Sequence, residues 1–256
     1  MEKKYNSMEM MICAASRVLE DDSSVMVGTG APCAASMLAQ KLHAKGLLIY
    51  FEAGGVGPQM PTMPISVGDS RTFHRAVMAG SMYDIMENAS RGLIDYAFVG
   101  GAQIDMYGNL NATIIGDYKH PKVRFPGSGG ANDITSLCWH SMVITPQTKN
   151  RFVNKVDFVT SPGYLQGGSS RDDSGLPVGT GPYRVITDLG VMGYDEESKR
   201  MKVLAVHPGF SFENMQENTE FELMKADEIR VNEPPTMEEL EILRNEVDPN
   251  RYIIGR

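Results

Sequence analysis

In residues 47–58, LLIYFEAGGVGP, one acid stands where an acid can do chemistry. Leu47 to Phe51 are apolar or aromatic and read as a buried strand. The strand ends on Glu52, and the chain then turns through Ala53, Gly54, Gly55 and Gly57, residues with almost no side chain. A carboxylate attacks poorly unless the acyl group is activated and the developing oxyanion is stabilised. Bare glycines beside it would let an activated carbonyl come within contact distance. The backbone N–H groups of a later stretch, GSGGA at 127–131, are candidate oxyanion donors.

A rival reading is dinucleotide binding. A strand within SSVMVGTG (23–30), the pair Gly28 and Gly30, a helix, a second strand and an acid about 20 residues on follow the layout of a nucleotide-binding βαβ unit. Glu52 would then hold a ribose hydroxyl. Against this, the third small position of the glycine motif is Cys33, and Pro32 sits inside the turn. Gly54, Gly55 and Gly57 are also left without a purpose. A third possibility is plain: an acid at a strand end can be a solvated residue, and glycine loops can be only turns. The residue types alone leave all three open.

The elements that must position these residues are legible. Asn6 or Ser7 caps a first helix, with Met8, Met11, Ile12, Ala15, Val18 and Leu19 on one face. Pro32 suits the first turn of a second helix, whose stripe is Ala35, Leu38, Ala39 and Leu42. Residues 58–70 hold three prolines and read as a loop, and 71–92 as partly helical with a break at Gly80. Further apolar strands are expected at 94–101, 141–145 and 155–163. Residues 184–209 predict strands with a hairpin near Asp195 to Lys199. Thr236 and Glu239 predict a capping box for a last helix that turns Leu240, Leu243 and Val247 inward. Apolar strands alternating with helices predict an α/β fold: an open, mainly parallel sheet flanked by helices, in a single domain over residues 1–256. In such sheets ligands sit outside the carboxyl ends of the strands, where Gly28, Gly30, the stretch after Glu52, and Gly100 with Gly101 fall.

Composition narrows the function. The chain has 256 residues and 32 acids against 24 bases, net −8. That argues against a nucleic-acid partner and against an anionic membrane surface. It leaves room for anionic substrates, because one site can be basic within an acidic whole. Cys13, Cys33 and Cys138 form no CxxC pair, which predicts neither a disulfide framework nor a zinc site and fits a reducing cytoplasm. No apolar run approaches the roughly 18 residues of a membrane span. The histidines have no metal-ligand spacing.

Several stretches together resemble a known family: VGTGAP, FEAG, SVGDSR, the block VGGAQIDMYGNLNATIIGDYKHPKVRFPGSGGAND, NRFVNKVDFVTSPGYLQGG and LRNEVDP. They are similar to the B (β) subunits of glutaconate CoA-transferases, within family I of the CoA-transferases, from about Met8 to about Pro249. The resemblance implies a ping-pong reaction in which Glu52 of FEAG takes an acyl-CoA thioester through a mixed anhydride to a glutamyl-CoA thioester. It implies that backbone N–H groups of Gly129, Gly130 and Ala131, beside Asn132, serve the oxyanion. Ala53, Gly54, Gly55, Gly28 and Gly30 are then the substrate-facing loops. It implies no permanently bound cofactor, the coenzyme A thioester being a substrate. It also implies a separate A (α) subunit, in a hetero-oligomer of αβ pairs that takes acyl-CoA and carboxylate substrates. Relatives with Ser-Glu-Asn-Gly or Glu-Ser-Gly at the nucleophile differ from Phe51-Glu52-Ala53-Gly54 here, which bears on the acyl group preferred. Others on this fold act as CoA-ester hydrolases or decarboxylases.

Arg71, Arg75 and Arg124 are the candidates in this chain for holding a substrate carboxylate. Asp105, Asn109, Asn111 and Asp117 read as turn residues, and Cys138 and Trp139 as core.

Overall fold

The computed structural model describes residues 5–255. They fall into two compact units, one of residues 5–98 with 233–255, the other of residues 99–232. Among the described residues no helix is long and apolar enough to cross a membrane.

In the first unit, β1 (Ser24–Val27), β2 (Leu48–Phe51), β3 (Gly55–Val56), β4 (Met78–Ala79) and β5 (Tyr96–Phe98) lie side by side in the order β5-β1-β2-β3-β4. β1 is parallel to β2, with Val27 opposite Phe51, and parallel to β5, with Val25 opposite Tyr96. All four residues of β1 are buried, as are Ile49 to Phe51, so these strands need no polar face. Helices α1 (Ser7–Ser16), α2 (Ala31–Leu42) and α3 (Met82–Ser90) flank them. Asn6 caps α1 in a full capping box with Glu9, and Pro32 occupies the first turn of α2. The break at Gly80 separates α3, capped by Ser81 and Asp84, from a single 3₁₀ turn (Ser70–Phe73) and β4. β3 and β4 are too short to show a sequence period.

The last residues return to the same unit. A helix at Met237–Ile242 starts on the Thr236–Glu239 capping box, and Leu240, Leu243 and Val247 are buried as expected. Arg17 pairs with Glu239 at 2.6 Å and Arg244 with Glu9 at 2.6 Å. The Asp248 carboxylate accepts the N–H groups of Tyr252, Ile253 and Ile254, and Asn6 Nδ2 donates to Ile254 O at 2.7 Å. Burial pushes the Glu9 and Glu239 carboxyls up, but the arginines and the capped N–H groups outweigh it and hold both below the usual carboxylate range.

The second unit holds β6 (Gln103–Ile104), β7 (Leu110–Asn111), β8 (Ile114–Gly116), β9 (Pro121–Arg124), β10 (His140–Ile144), β11 (Gly181–Ile186), β12 (Gly190–Tyr194), β13 (Met201–Val206) and β14 (Met224–Val231). β10 to β14 are consecutive neighbours. β10 is parallel to β11 and β13 to β14, while β11, β12 and β13 run antiparallel. The β12–β13 hairpin turns at Asp195 to Lys199, as expected. Its Asp195 carboxylate accepts the Ser198 N–H and hydroxyl, which hold it down at about 2. β6–β7 and β8–β9 are two small hairpins, and helices α4 (Ala131–Leu137), α5 (Ser170–Asp173) and α6 (Phe212–Glu217) complete the unit. The α/β fold with an open, mainly parallel sheet and flanking helices is therefore present.

Two expectations fail. Residues 155–163 form no strand beyond an isolated bridge at Ser161. Asp157 and Thr160 bond through their side chains to the N–H groups of Gly116 and Ala112, and backbone pairing is confined to Thr160 and Ser161 against Leu110. Trp139 is exposed, while Cys138 is fully buried.

One cation is interior. Arg171 is 2% exposed and donates to the carbonyls of Thr135, Ser136, Pro162 and Gly163 and to Thr180 Oγ1. Burial lowers its pKa, yet the guanidinium ties together α4, the 162–163 loop and Thr180 just before β11. Arg171→Met leaves those oxygens unpartnered and should lower unfolding stability by about 3 kcal/mol or more, read as a fall in the urea midpoint at unchanged slope. For Glu9 and Glu239, whose folded pKa lies below the unfolded one, the stabilisation is present above the ordinary carboxylate pKa. It is lost as pH falls through the depressed folded values. The double variant Arg17→Gln, Arg244→Gln should therefore be less stable at neutral pH and lose less stability below pH 5 than the parent, measured by denaturant titration across pH.

Candidate active site

The position of Glu52 follows from strand register. Val27 and Phe51 are opposite each other in parallel strands, so Gly28 and Glu52 emerge together, one residue beyond that pair. Neighbouring strands lie about 4.8 Å apart, which makes the two residues adjacent. From β1 the chain crosses through α2 to β2 on one side, and later through α3 to β5 on the other. The carboxyl end of β1 is thus a topological switch point, where open α/β sheets take ligands.

Around that point the glycines have different duties. A Cβ on Gly28 would meet no heavy atom within 4 Å, so the space beside Glu52 is open on this side. Gly30 has φ +91° and is the N-cap of α2. Gly54 and Gly55 are closed in. The Gly54 N–H donates to Phe51 O at 2.9 Å and makes the tight turn that carries Glu52 and Ala53. A Cβ on Gly54 would lie 2.1 Å from Gly80 O, and one on Gly55 2.0 Å from Thr72 O. These two positions are glycine because another stretch of backbone runs against the turn. The missing side chains behind Glu52 are filled by protein. Glu52 itself is half-buried, and among the described residues no hydrogen bond or ion pair holds its carboxylate.

The second glycine-rich stretch belongs to the other unit. Gly127 and Gly129 have φ +96° and +50°, and a Cβ on either would meet nothing within 4 Å. Gly130 is the N-cap of α4 and supplies no side-chain cap. The Ala131 N–H closes a turn onto Ser128 O at 2.9 Å, while the N–H groups of Gly129 and Gly130 make no hydrogen bond among the described residues. Asn132 Nδ2 donates to Thr160 O at 2.9 Å and ties the first turn of α4 to the irregular 155–163 segment. Ala131 is therefore a residue that shapes the turn, and Gly129 and Gly130 are the available donors.

The arginine candidates separate. Arg71 is already committed: its guanidinium grips Asp69 at 2.6 Å and donates to Thr62 Oγ1 and Met63 O. It folds the 62–73 loop and is not available for a substrate. Arg75 is exposed in a left-handed conformation, φ 53°. Arg124 is exposed, donates to Tyr118 O, and lies over the Tyr118 ring. Asp105, Asn111 and Asp117 do serve turns, their oxygens accepting local backbone N–H groups, whereas Asn109 Oδ1 accepts the distant N–H groups of Gly163 and Leu165. Asp105 is buried, and burial pushes its carboxyl up despite donors from Asn109 and Tyr107. Sequence reasoning missed the ring pair Tyr118–Phe158, stacked at 5.7 Å. Its one signal was Tyr118 standing beside the basic residues Lys119, Lys122 and Arg124.

Known proteins resemble this chain along nearly its whole length. The family model described as Coenzyme A transferase matches residues 8–218. The B subunit of glutaconate CoA-transferase from Acidaminococcus fermentans is 38% identical, over 98% of this chain and 95% of its own. The B subunit of 3-oxoadipate CoA-transferase from Pseudomonas knackmussii is 37% identical, over 94% and 92%. The crystal structure of glutaconate coenzyme A-transferase from A. fermentans superposes with a TM-score of 0.93 at 36% identity, covering 99% of this chain and 98% of that one. An acid left unpartnered at the switch point of an α/β sheet is thus found in a chain that belongs to the coenzyme A transferase family.

Proposed function

We propose that this chain is the catalytic B subunit of a CoA-transferase, paired with a separate A subunit in an assembly of αβ pairs, and that Glu52 is its nucleophile. The observation that carries this is the half-buried, unpartnered Glu52 carboxylate at the carboxyl end of β2, beside the open space at Gly28. The whole chain, residues 1–256, acts as one catalytic domain in this reading. The names of the two relatives support a partner subunit, and both name dicarboxylates, which supports a glutaconate-like dicarboxylate as one substrate. The cytoplasm is the proposed compartment, in keeping with three buried cysteines whose thiols burial pushes up to about 12.

The reaction balances without a resident cofactor. The Glu52 carboxylate attacks the thioester carbonyl of an acyl-CoA, the C–S bond breaks, and CoA thiolate leaves an acyl–glutamyl anhydride. The thiolate attacks the glutamyl carbonyl, and the donor acid departs as carboxylate. CoA is then held as a thioester on Glu52. An acceptor carboxylate reverses the two steps, leaves as its CoA thioester, and restores Glu52. Gly129 and Gly130 donate N–H groups to the tetrahedral oxyanion, with Ala131 and Asn132 setting their turn. Gly28 and Gly30 line the approach, and Ala53, Gly54 and Gly55 fix the turn that presents the acid. The anhydride is high in energy, so binding of the remote parts of CoA must offset its formation. Water must also be kept from it, or transfer becomes hydrolysis.

With the A subunit co-expressed, incubation with acyl-CoA and no acceptor should leave a thioester that borohydride reduces at residue 52. Glu52→Gln should lower exchange by at least about 10⁴-fold with an unchanged thermal midpoint. Exchange near the parent rate in that variant would remove Glu52 from the reaction. Oxygen label in the acceptor carboxylate should pass to Glu52 and on to the acid released from the donor, without dilution by solvent oxygen. Solvent label in the released acid at every turnover would identify a hydrolase.

A further inference from the structure

The acidic chain carries a compact basic strip that the transfer chemistry does not use. In DYKHPKVR, residues 117–124, three cations fall within six positions: Lys119, Lys122 and Arg124. They sit on the β8–β9 hairpin, which pairs Ile114 with Arg124 and Gly116 with Pro121. All three are exposed. The acids bonded to the hairpin are already engaged by N–H donors. Asp117 accepts the Lys119 and His120 N–H groups, and Asp157 accepts the Gly116 N–H and Gln103 Nε2. Neither Lys119, Lys122 nor Arg124 pairs with a carboxylate among the described residues.

Beside these cations is an aromatic platform open to solvent. Tyr118 is 57% exposed and stacks on Phe158, itself 36% exposed, at 5.7 Å and 22°. Arg124 lies 5.5 Å from the Tyr118 ring centroid and donates to the Tyr118 main-chain carbonyl at 3.2 Å. Flat rings next to unpaired cations are what a purine nucleotide with phosphates recognises: the base stacks and the phosphates take the charge. The hairpin also leads directly to the glycine loop. Phe125 and Gly127 N–H groups continue its ladder onto Thr113 O and Ala112 O. From Lys122 to Gly129 is seven residues, an upper reach of about 25 Å, comparable with an extended CoA molecule.

We propose that the β8–β9 hairpin binds the 3′-phosphorylated adenosine diphosphate end of CoA, with the adenine on the Tyr118–Phe158 platform and the phosphates on Lys119, Lys122 and Arg124. This rests on the CoA-transferase reading above and assigns the remote binding energy that the anhydride step requires. In a chain of net −8, a polyanionic substrate needs such a local reversal of sign.

The test uses the complex with its A subunit and two substrates, an acyl-CoA and the matching acyl-pantetheine, which lacks the nucleotide. The variants are Tyr118→Ala and the triple Lys119→Gln, Lys122→Gln, Arg124→Gln, with the thermal midpoint as a folding control. Expected is a fall of roughly tenfold or more in kcat/KM for acyl-CoA, with kcat/KM for acyl-pantetheine unchanged. Adenosine 3′,5′-bisphosphate alone should bind the parent complex and bind the triple variant at least about tenfold more weakly. Parent-like kcat/KM for acyl-CoA in both variants overturns the hairpin site and leaves the transferase reading standing. A parent complex that transfers no CoA yet binds the bisphosphate through these residues overturns the transferase reading and keeps the nucleotide site.

Discussion

The parallel pairing of β1 with β2 is the constraint on which the site depends. Register fixes Val27 against Phe51, and with it the level at which both strands run out. A one-residue slip would turn every side chain of β2 to the opposite face and move Glu52 off the carboxyl edge. The slip is resisted by burial: Val25, Met26, Ile49 and Phe51 are each 2% exposed or less. Ser24 adds a polar lock, since its N–H and hydroxyl both reach the Asp95 carboxylate, at 2.8 and 2.7 Å. That joins the starts of β1 and β5, so all three strands end in fixed relation. The chemistry proposed for Glu52 therefore draws its placement from apolar packing several residues away.

Against that background the glycines divide into two kinds. At Gly54 and Gly55 the missing side chain admits another part of the backbone, within 2.1 Å of where a Cβ would stand. At Gly28, Gly127 and Gly129 it leaves empty space. Only the second kind can admit a substrate. The turn after Glu52 is thereby a rigid support, buttressed by residues 72–80. In the proposed reaction the open approach comes from the Gly28 side. Rigidity behind a nucleophile and space in front of it is the division a covalent step needs, because misplacement by a fraction of the reacting distance is costly.

Much of this was legible beforehand, and the failures have physical causes. Asn6, Pro32, Thr236 and Glu239 announced their helices because capping is local chemistry. β1, β2, β5 and β10 were visible as short apolar runs because burial on both faces leaves few polar positions. Residues 155–163 looked alike, yet Asp157 and Thr160 bond through side chains to distant N–H groups, a competition that no periodicity reports. Gly54 and Gly55 were visible as glycines, but their reason, the passage of residues 72–80, is long-range. Arg71 illustrates the same limit. Its spacing from Asp69 is two residues, and only the fold of the 62–73 loop turns that pair into a closed grip.

The state of the Glu52 carboxylate is informative when set beside the chain's other sheltered acids. Glu9 and Glu239 each receive an arginine and a capped N–H. Asp248 receives three N–H groups, and Asp105 an amide and two N–H groups. Each donor lowers the energy of the anion and draws its electron density away from any electrophile. A carboxylate used to hold a fold should collect donors, and these do. One used to attack carbon should be kept short of them while being shielded from water, since each hydrogen bond to the attacking oxygen must be weakened before a bond to carbon forms. Glu52 is half-buried and has no such donor among the described residues. Structural duty accounts well for the other four acids and poorly for this one. The same contrast explains why the support for Glu52 comes through main-chain contacts at Gly54 and Gly55: backbone packing can fix the direction of a side chain without touching its charge.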